Sequence, residues 1–345
     1  MKALVWYGRK DIRVEEVRKP ELPGPNEIRV KVMYCGICGT DLEEYQQGPI
    51  YIPVQGPHPL TQAQAPLILG HEFSGVVEAV GSSVSEFQVG DHVAADTLVY
   101  CGECEPCRNH LYNLCTKLAA LGLMAHGGLA EFVTAPAKTF VKIPDSVKLI
   151  EAALAEPLAV AIRGIRQARI EPGQSVLVMG AGAVGNLTMQ ALRVMGAGEV
   201  IVVEPSEYRR RLAEQLGADL VLSSDQLSDL DTRFHRAIDC SGRPDAQVAA
   251  LRKLKAKGRL VLIGIPTQLT TLNMLEIIDF EREVVGSISH IVDEDFKTAV
   301  KLLSDGRIRV SDLITQTVPL DQAKDAFEML GSGVPDAIKI IIQTA

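Results

Sequence analysis

The order of apolar and polar positions divides this chain into two textures. Up to about residue 155, short alternating runs are broken by glycine and proline. Ile28-Arg-Val-Lys-Val-Met33 and Ser74-Gly-Val-Val-Glu-Ala-Val80 alternate with a period of two, which predicts half-buried strands. Residues 81–84 and 89–93 read as turn-and-strand units, so residues 1–155 predict a mainly β body with helical insertions. Residues 46–66 interrupt it with Pro49, Pro53, Pro57, Pro59 and Pro66. A loop of that length is usually functional or disordered. Beyond it, an apolar helix over 157–168 precedes an unbroken apolar strand at 175–179. Strands at 200–203, 220–222, 236–239 and 260–264 then alternate with helical stretches, which predicts a doubly wound parallel sheet over 156–291. The remainder, 292–345, holds helices at 296–303 and 322–330 and a terminal strand at 337–342, and is best explained as a return to the first domain. The expected class is α/β: a parallel nucleotide-type sheet plus a mainly β domain.

Composition narrows the function. A chain of 345 residues is long enough for two cores, and 47% hydrophobic with 23% charged residues is a soluble globular balance. The net charge of −8 opposes non-specific binding to nucleic acid or anionic membrane. No apolar run reaches membrane-spanning length, and the stretch from Met1 to Tyr7 reads as a strand rather than a secretory leader. A cytoplasmic location is the expectation.

Four of the seven cysteines lie within residues 101–115, as Cys101, Cys104, Cys107 and Cys115 in the spacing C-x2-C-x2-C-x7-C. Two-residue gaps turn successive thiolates toward one ion, and the longer gap returns the fourth. Four sulfurs leave no open position, so the reading is a structural zinc. An iron–sulfur cluster of the C-x2-C-x2-C type places its fourth cysteine after three residues and before a proline, which this chain lacks. A disulfide staple suits small secreted domains rather than a long chain with an odd cysteine count.

Gly180-Ala-Gly182-Ala-Val184-Gly185 follows the buried strand at 175–179 and opens a helix expected over 186–195. In that context G-x-G-x-x-G is a dinucleotide fingerprint. Gly180 permits the tight turn, Gly182 lets the backbone approach a pyrophosphate, and Gly185 lets helix pack on strand. Glu204, at the end of the next strand, is placed to accept ribose hydroxyls and repel a 2′-phosphate, which favours NAD over NADP. Arg209, with Arg210 and Arg211 behind it, is placed either beside the adenine ribose or to attract a phosphate.

Two further clusters, Gly36-Ile-Cys38-Gly-Thr40-Asp41 and Gly70-His71-Glu72, together with Glu156, offer sulfur, nitrogen and oxygen donors suited to zinc. Three protein ligands with one open position form the catalytic arrangement. Asp41 is a candidate acceptor for the second ring nitrogen of His71.

The four-cysteine lobe, "GICGTD", "GHEFSG", "EPLAVA" and "GAGAVG" stand in the order and spacing of the zinc-dependent medium-chain alcohol dehydrogenases, which the chain resembles over nearly its whole length. Within that family it resembles the butanediol and sorbitol (polyol) dehydrogenases. The stretch from Gly48 to Pro66 is similar to the loop of (R,R)-2,3-butanediol dehydrogenases. The resemblance implies a GroES-like catalytic domain and a Rossmann domain. It implies Cys38, His71 and Glu72 at the catalytic zinc, with Glu156 ligating directly or through water. It implies Thr40 as the hydroxyl that takes the alcohol proton, and two zinc ions per chain with NAD. A Lewis-acid metal, proton exit through Thr40 and hydride transfer to the nicotinamide would then interconvert an alcohol and a ketone.

One position departs from the family. Members commonly carry histidine where this chain has Glu43, so either Glu43 relays protons with a raised pKa or protons leave by another route. The unperturbed values are about 4.3 for glutamate and about 6.5 for histidine. If Glu43 has no such role, it is a solvated acid equivalent to its neighbour Glu44. The leading substrate class is a small secondary alcohol or vicinal diol. A sugar-alcohol or threonine-type dehydrogenase is the alternative, and a zinc-stabilised nucleotide-binding sensor or structural protein is the non-enzymatic one. The apolar run 259–266, followed by 283–289, reads as a sheet edge open to a second copy. The family resemblance implies a homodimer or homotetramer.

Overall fold

A computed structural model describes residues 1–334 and 336–345. They form two compact units, Met1–Glu156 with Ile291–Asp305 and Val310–Ala345, and Pro157–His290 with Gly306–Arg309.

The first unit is built on a seven-stranded sheet. Its central strand, Glu27–Gly36, pairs antiparallel with Glu72–Val80, Phe132–Pro136 and Lys339–Gln343. Ile28, Val30 and Val32 point into the core while Lys31 faces out, as period-two alternation requires. Trp6, Phe73, Phe140 and Phe327 belong to the same core. Burying each large apolar side chain stabilises the unit by about 1.5–3 kcal/mol. Register matters more here than size. Gly36 stands opposite Glu72 on one side and Ile341 on the other, so the ends of two strands and the middle of a third meet beside Cys38. A Cβ on Gly36 would lie 2.3 Å from Glu72 Oε2, so a larger residue here would displace that carboxylate.

A small lobe projects from this unit. The pair Leu98–Val99 and Ala119–Ala120 closes its base. The short helix Glu105–Arg108 and the 3₁₀ turn Tyr112–Leu114 lie between. Closing the base brings Cys101 and Cys115 together.

The second unit is a six-stranded parallel sheet. Its order is Leu220–Leu222, Val200–Val203, Val176–Met179, Phe234–Asp239, Leu254–Leu262 and Glu283–Gly286. Val176–Met179 is buried throughout, which explains its unbroken apolar run. The order reverses between it and Phe234–Asp239, the switch point at which such sheets bind ligands. The expected α/β class, a parallel sheet plus a mainly β body, is what the chain adopts. The helix after the fingerprint spans Ala183–Val194, so it starts three residues before the expected position, inside the glycine motif. Asn186 draws it back by donating to the carbonyls of Ala181 and Gly182 at 2.7 and 3.1 Å.

Candidate metal centres and nucleotide turn

The sulfur atoms of Cys101, Cys104, Cys107 and Cys115 all lie within 4.8 Å of one another. Cys101 Sγ is 3.5 Å from Cys115 Sγ and 3.9 Å from Cys107 Sγ. A disulfide would bring two sulfurs to about 2.05 Å. A tetrahedron with zinc–sulfur bonds of about 2.3 Å spaces them at about 3.8 Å, so the donor set fits zinc. Backbone N–H groups back the sulfurs: Cys104 N lies 3.4 Å from Cys101 Sγ, and Cys101 N and Lys117 N lie 3.4 Å from Cys115 Sγ. The N–H groups of Thr116 and Cys107 lower the Cys104 thiol to about 6. Burial raises Cys107 to about 12. A bound cation would let all four ionise together.

The second cluster contains Cys38, His71 and a carboxylate oxygen of Glu72, again within 4.8 Å. Cys38 caps the helix Gly39–Gln47 in extended conformation. The carboxylate of Asp41, in that helix's first turn, does two things. Its Oδ2 accepts the Cys38 N–H at 3.0 Å, and its Oδ1 lies 3.2 Å from His71 Nδ1. Asp41 therefore holds the cysteine backbone and sets its charge beside one ring nitrogen of His71, leaving the other as the candidate donor, the side from which a carboxylate supports a metal-binding histidine. Burial alone would lower the pKa of His71, but Asp41 and then Cys38 outweigh it and hold it well above the usual range. A bound zinc would compete with the proton for that ring. Thr40 Oγ1 lies 3.9 Å from Cys38 Sγ, one residue into the helix.

Sequence reasoning missed Lys339. Its Nζ donates to both oxygens of Glu72, at 2.9 and 2.6 Å, and to the Ile37 carbonyl at 3.0 Å. Both side chains are buried, and burial, which opposes the ammonium, is outweighed by Glu72 and Cys38, so its pKa is raised. Glu72 thus stands between a fixed cation and the metal position. The one available signal was a lone lysine inside the apolar strand Lys339–Gln343 and its flanks. Glu156 is buried in the first turn of the helix Ala155–Ala168, and its charge reaches Lys339. It is outside the group of donors that converge within 4.8 Å.

Glu43 and Glu44 are not equivalent, which corrects the alternative that Glu43 is a solvated acid like its neighbour. Glu43 is half-buried, and burial first and Glu44 second raise its pKa. Glu44 is fully buried and binds backbone N–H groups of the following loop.

In the second unit, Gly180 has φ +93°, a conformation that favours glycine. A Cβ on Gly185 would lie 2.0 Å from the Gly180 carbonyl oxygen, so close packing of helix on strand requires it. A Cβ on Gly182 would meet nothing within 4 Å, so the space before the helix N-terminus is open. Val184 is in the helix's first turn. These features fit a pyrophosphate, with free N–H groups and a positive dipole end. Glu204 is buried, and its two carboxylate oxygens accept from Ala181 N at 2.8 Å and Ser206 N at 2.9 Å. Ser206 caps the helix Glu207–Gln215, its Oγ accepting from the N–H of Arg209 at 3.4 Å. Arg210 donates to the carbonyls of Glu204 and Pro205, and Arg211 pairs with Glu207. Asp239, unmarked in the sequence, binds the N–H groups of Ser241 and Gly242 across the switch point from Gly180.

A β unit with one closed and one open metal site, in one chain with a parallel nucleotide-type sheet, defines a zinc-dependent dehydrogenase. The family model described as the alcohol dehydrogenase GroES-like domain matches residues 24–145, and that described as zinc-binding dehydrogenase matches residues 183–305. The chain belongs to the zinc-dependent medium-chain alcohol dehydrogenase family. It is 34% identical over 331 residues to an (R,R)-butanediol dehydrogenase of Bacillus subtilis, covering 93% of each chain. It is 32% identical to a sorbitol dehydrogenase of the same organism, covering 99% of this chain and 97% of that one. The crystal structure of 2R,3R-butanediol dehydrogenase from Bacillus subtilis superposes with a TM-score of 0.92 at 32% identity, covering 100% of this chain and 99% of that one.

Proposed function

We propose that this dehydrogenase interconverts a small secondary alcohol or vicinal diol, of the 2,3-butanediol and acetoin type, with its ketone, using NAD. The observation that carries this reading is the open group Cys38, His71 and Glu72 with the Thr40 hydroxyl 3.9 Å from Cys38 Sγ. Cys38 and His71 would hold the catalytic zinc, with Glu72 or Glu156 as the exchangeable oxygen donor. The metal supplies Lewis acidity that brings an alcohol's proton within reach of neutral pH. Thr40 takes that proton, and Glu43 passes it toward solvent. Asp41 keeps the His71 ring in one orientation. The four cysteines hold a second, structural zinc. Gly180, Gly182, Val184 and Gly185 receive the pyrophosphate, Glu204 the adenosine ribose, and Arg209 flanks it. The bound nicotinamide supplies the hydride acceptor.

The diol reading is supported by the similarity to the butanediol dehydrogenase. The sorbitol dehydrogenase similarity keeps sugar alcohols as the second reading. A panel of 2,3-butanediol, acetoin, sorbitol, xylitol and threonine with NAD and NADP tests both. Butanediol and acetoin with NAD should give kcat/KM at least about tenfold above the others. A preference for sorbitol or xylitol would replace the diol reading. A preference for NADP would show that the arginines at 209–211 outweigh Glu204. Assembly as a homodimer or homotetramer is part of the same proposal. The edge strand Glu283–Gly286 is flanked by exposed Ile278, Phe280 and Ile288, an edge open to pairing. A monomer at micromolar concentration in light scattering would remove it.

A further inference from the structure

The loop at 46–66 has an internal anchor that the reaction as described does not use. The carboxylate of Glu44 is fully buried. Oε1 and Oε2 each lie 3.1 Å from Ile50 N, and Oε1 lies 3.1 Å from Ile52 N. The N–H of Tyr51 also donates to Oε1. The main chain of Glu44 is occupied too: its carbonyl accepts from Gly48 N at 3.0 Å and from Trp6 Nε1 at 3.2 Å. A Cβ on Gly48 would lie 2.5 Å from Glu44 Oε2, so the chain turns as tightly as glycine allows.

Hydrogen bonds to an ionised acceptor are about twice as strong as neutral ones. Three adjacent N–H groups on one carboxylate therefore fix the 50–52 backbone firmly. What that backbone carries is unusual for a tethered segment. Ile52 is buried and packs in the core, but Ile50, Tyr51 and Val54 are exposed apolar side chains. Glu44 is also four residues after Thr40 on the helix Gly39–Gln47. Positions i and i+4 share a helix face, about 6 Å apart along the axis. The tether is thus one helical turn beyond the hydroxyl that serves the open site. Burial, and after it the charges of Glu43 and Glu44, raise the pKa of Tyr51.

We infer that Glu44 is a positioning residue: it holds the 48–52 segment as a fixed apolar wall beside Thr40, and so sets the fit of the alcohol's carbon substituents. The inference rests on the reading that Cys38, Thr40 and His71 receive the alcohol. Ordered, exposed apolar side chains at the mouth of a polar site are suited to contact the carbon skeleton of a small ligand. The wall acts on ground-state and transition-state binding alike, so losing it raises KM for the alcohol more than it lowers kcat.

Glu44→Gln in the zinc-loaded, full-length protein tests this. A glutamine offers one acceptor oxygen and turns an NH₂ group toward the three donors. Hydrogen–deuterium exchange reads the tether without any substrate. Exchange at residues 50–52 should accelerate at least tenfold while zinc content stays unchanged. Steady-state kinetics with 2,3-butanediol and NAD should then show KM for the diol raised about tenfold, with kcat and the KM for NAD each within threefold. Glu44→Asp keeps the charge but shortens the reach, and should move both readouts the same way by less. It also carries the test if Glu44→Gln does not fold. Unchanged exchange would overturn the tether. Released exchange with an unchanged KM, or with kcat and both KM values falling together, would overturn the wall. If the wild type oxidises no alcohol, the functional reading fails instead, and the exchange result still decides the tether.

Discussion

Two candidate metal centres in one β unit are assembled by opposite routes. The closed one takes Cys101, Cys104, Cys107 and Cys115 from a single lobe that a two-stranded base pulls shut. The open one takes Cys38 from the end of one strand, His71 and Glu72 from the start of another, and Lys339 from a strand near the chain's end. The closed site would spend all its donors on a metal. At the open site one donor, Glu72, is already shared with a cation, and a hydroxyl stands alongside. Locality suits a structural role, because a nearly complete ligand set forms with little loop to close. A reactive centre needs groups of different chemistry held in one place, which only the packed sheet can supply.

Ligand substitutions should separate the two most strongly. Cys38→Ser should lower kcat/KM for alcohol oxidation by about a thousandfold or more, since metal Lewis acidity supplies several kcal/mol. Its melting temperature should fall by no more than a few degrees. Cys104→Ser should do the reverse in kind: loss of one zinc and a large fall in melting temperature or in soluble yield, because a structural zinc contributes folding energy directly. Similar melting curves for the two variants would erase the distinction.

The next effect probes the shared donor. Lys339→Met leaves Glu72 buried without its cation, a change that costs about 3–5 kcal/mol. Calorimetry should show Lys339→Met/Glu72→Gln recovering most of that loss. The exposed pair Lys117–Glu103 on the lobe, 3.1 Å apart, gives the contrast. Lys117→Ala should leave the melting temperature unchanged, because solvent screens such pairs.

Locality also decided what was legible. The cysteine spacing and the glycine motif announce themselves because their partners are a few residues away. Alternation at 28–33 gave the central strand for the same reason. Cys38, His71 and Glu72 were found by residue type and family resemblance, but nothing in the sequence joins residue 72 to residue 339. That pairing depends on the register of Glu27–Gly36 with both neighbouring strands. Glu43 and Glu44 look alike on paper. Helix phase and the turn at Gly48 bury one under a loop and leave the other half-exposed.

A smaller effect separates those two acids by pH. Burial and Glu44 raise the pKa of Glu43, so it remains protonated at pH values where an ordinary carboxylate has ionised. It becomes able to accept a proton only as pH rises through that raised value. Alcohol oxidation should gain over that interval, and Glu43→Gln should flatten the gain while costing at most about a hundredfold. Glu43→His should recentre it toward about pH 6.5. Profiles identical to wild type in both variants would remove Glu43 from proton exit.

Graded zinc removal tests the division of labour most directly. Metal analysis of the fully loaded protein should give two zinc ions per chain. A mild chelator should withdraw one of them, abolish alcohol oxidation and leave the melting temperature within a few degrees, and one equivalent of added zinc should restore turnover. Full activity with one zinc per chain, or activity that survives loss of the first equivalent, would contradict the assignment of one closed structural centre and one open reactive one.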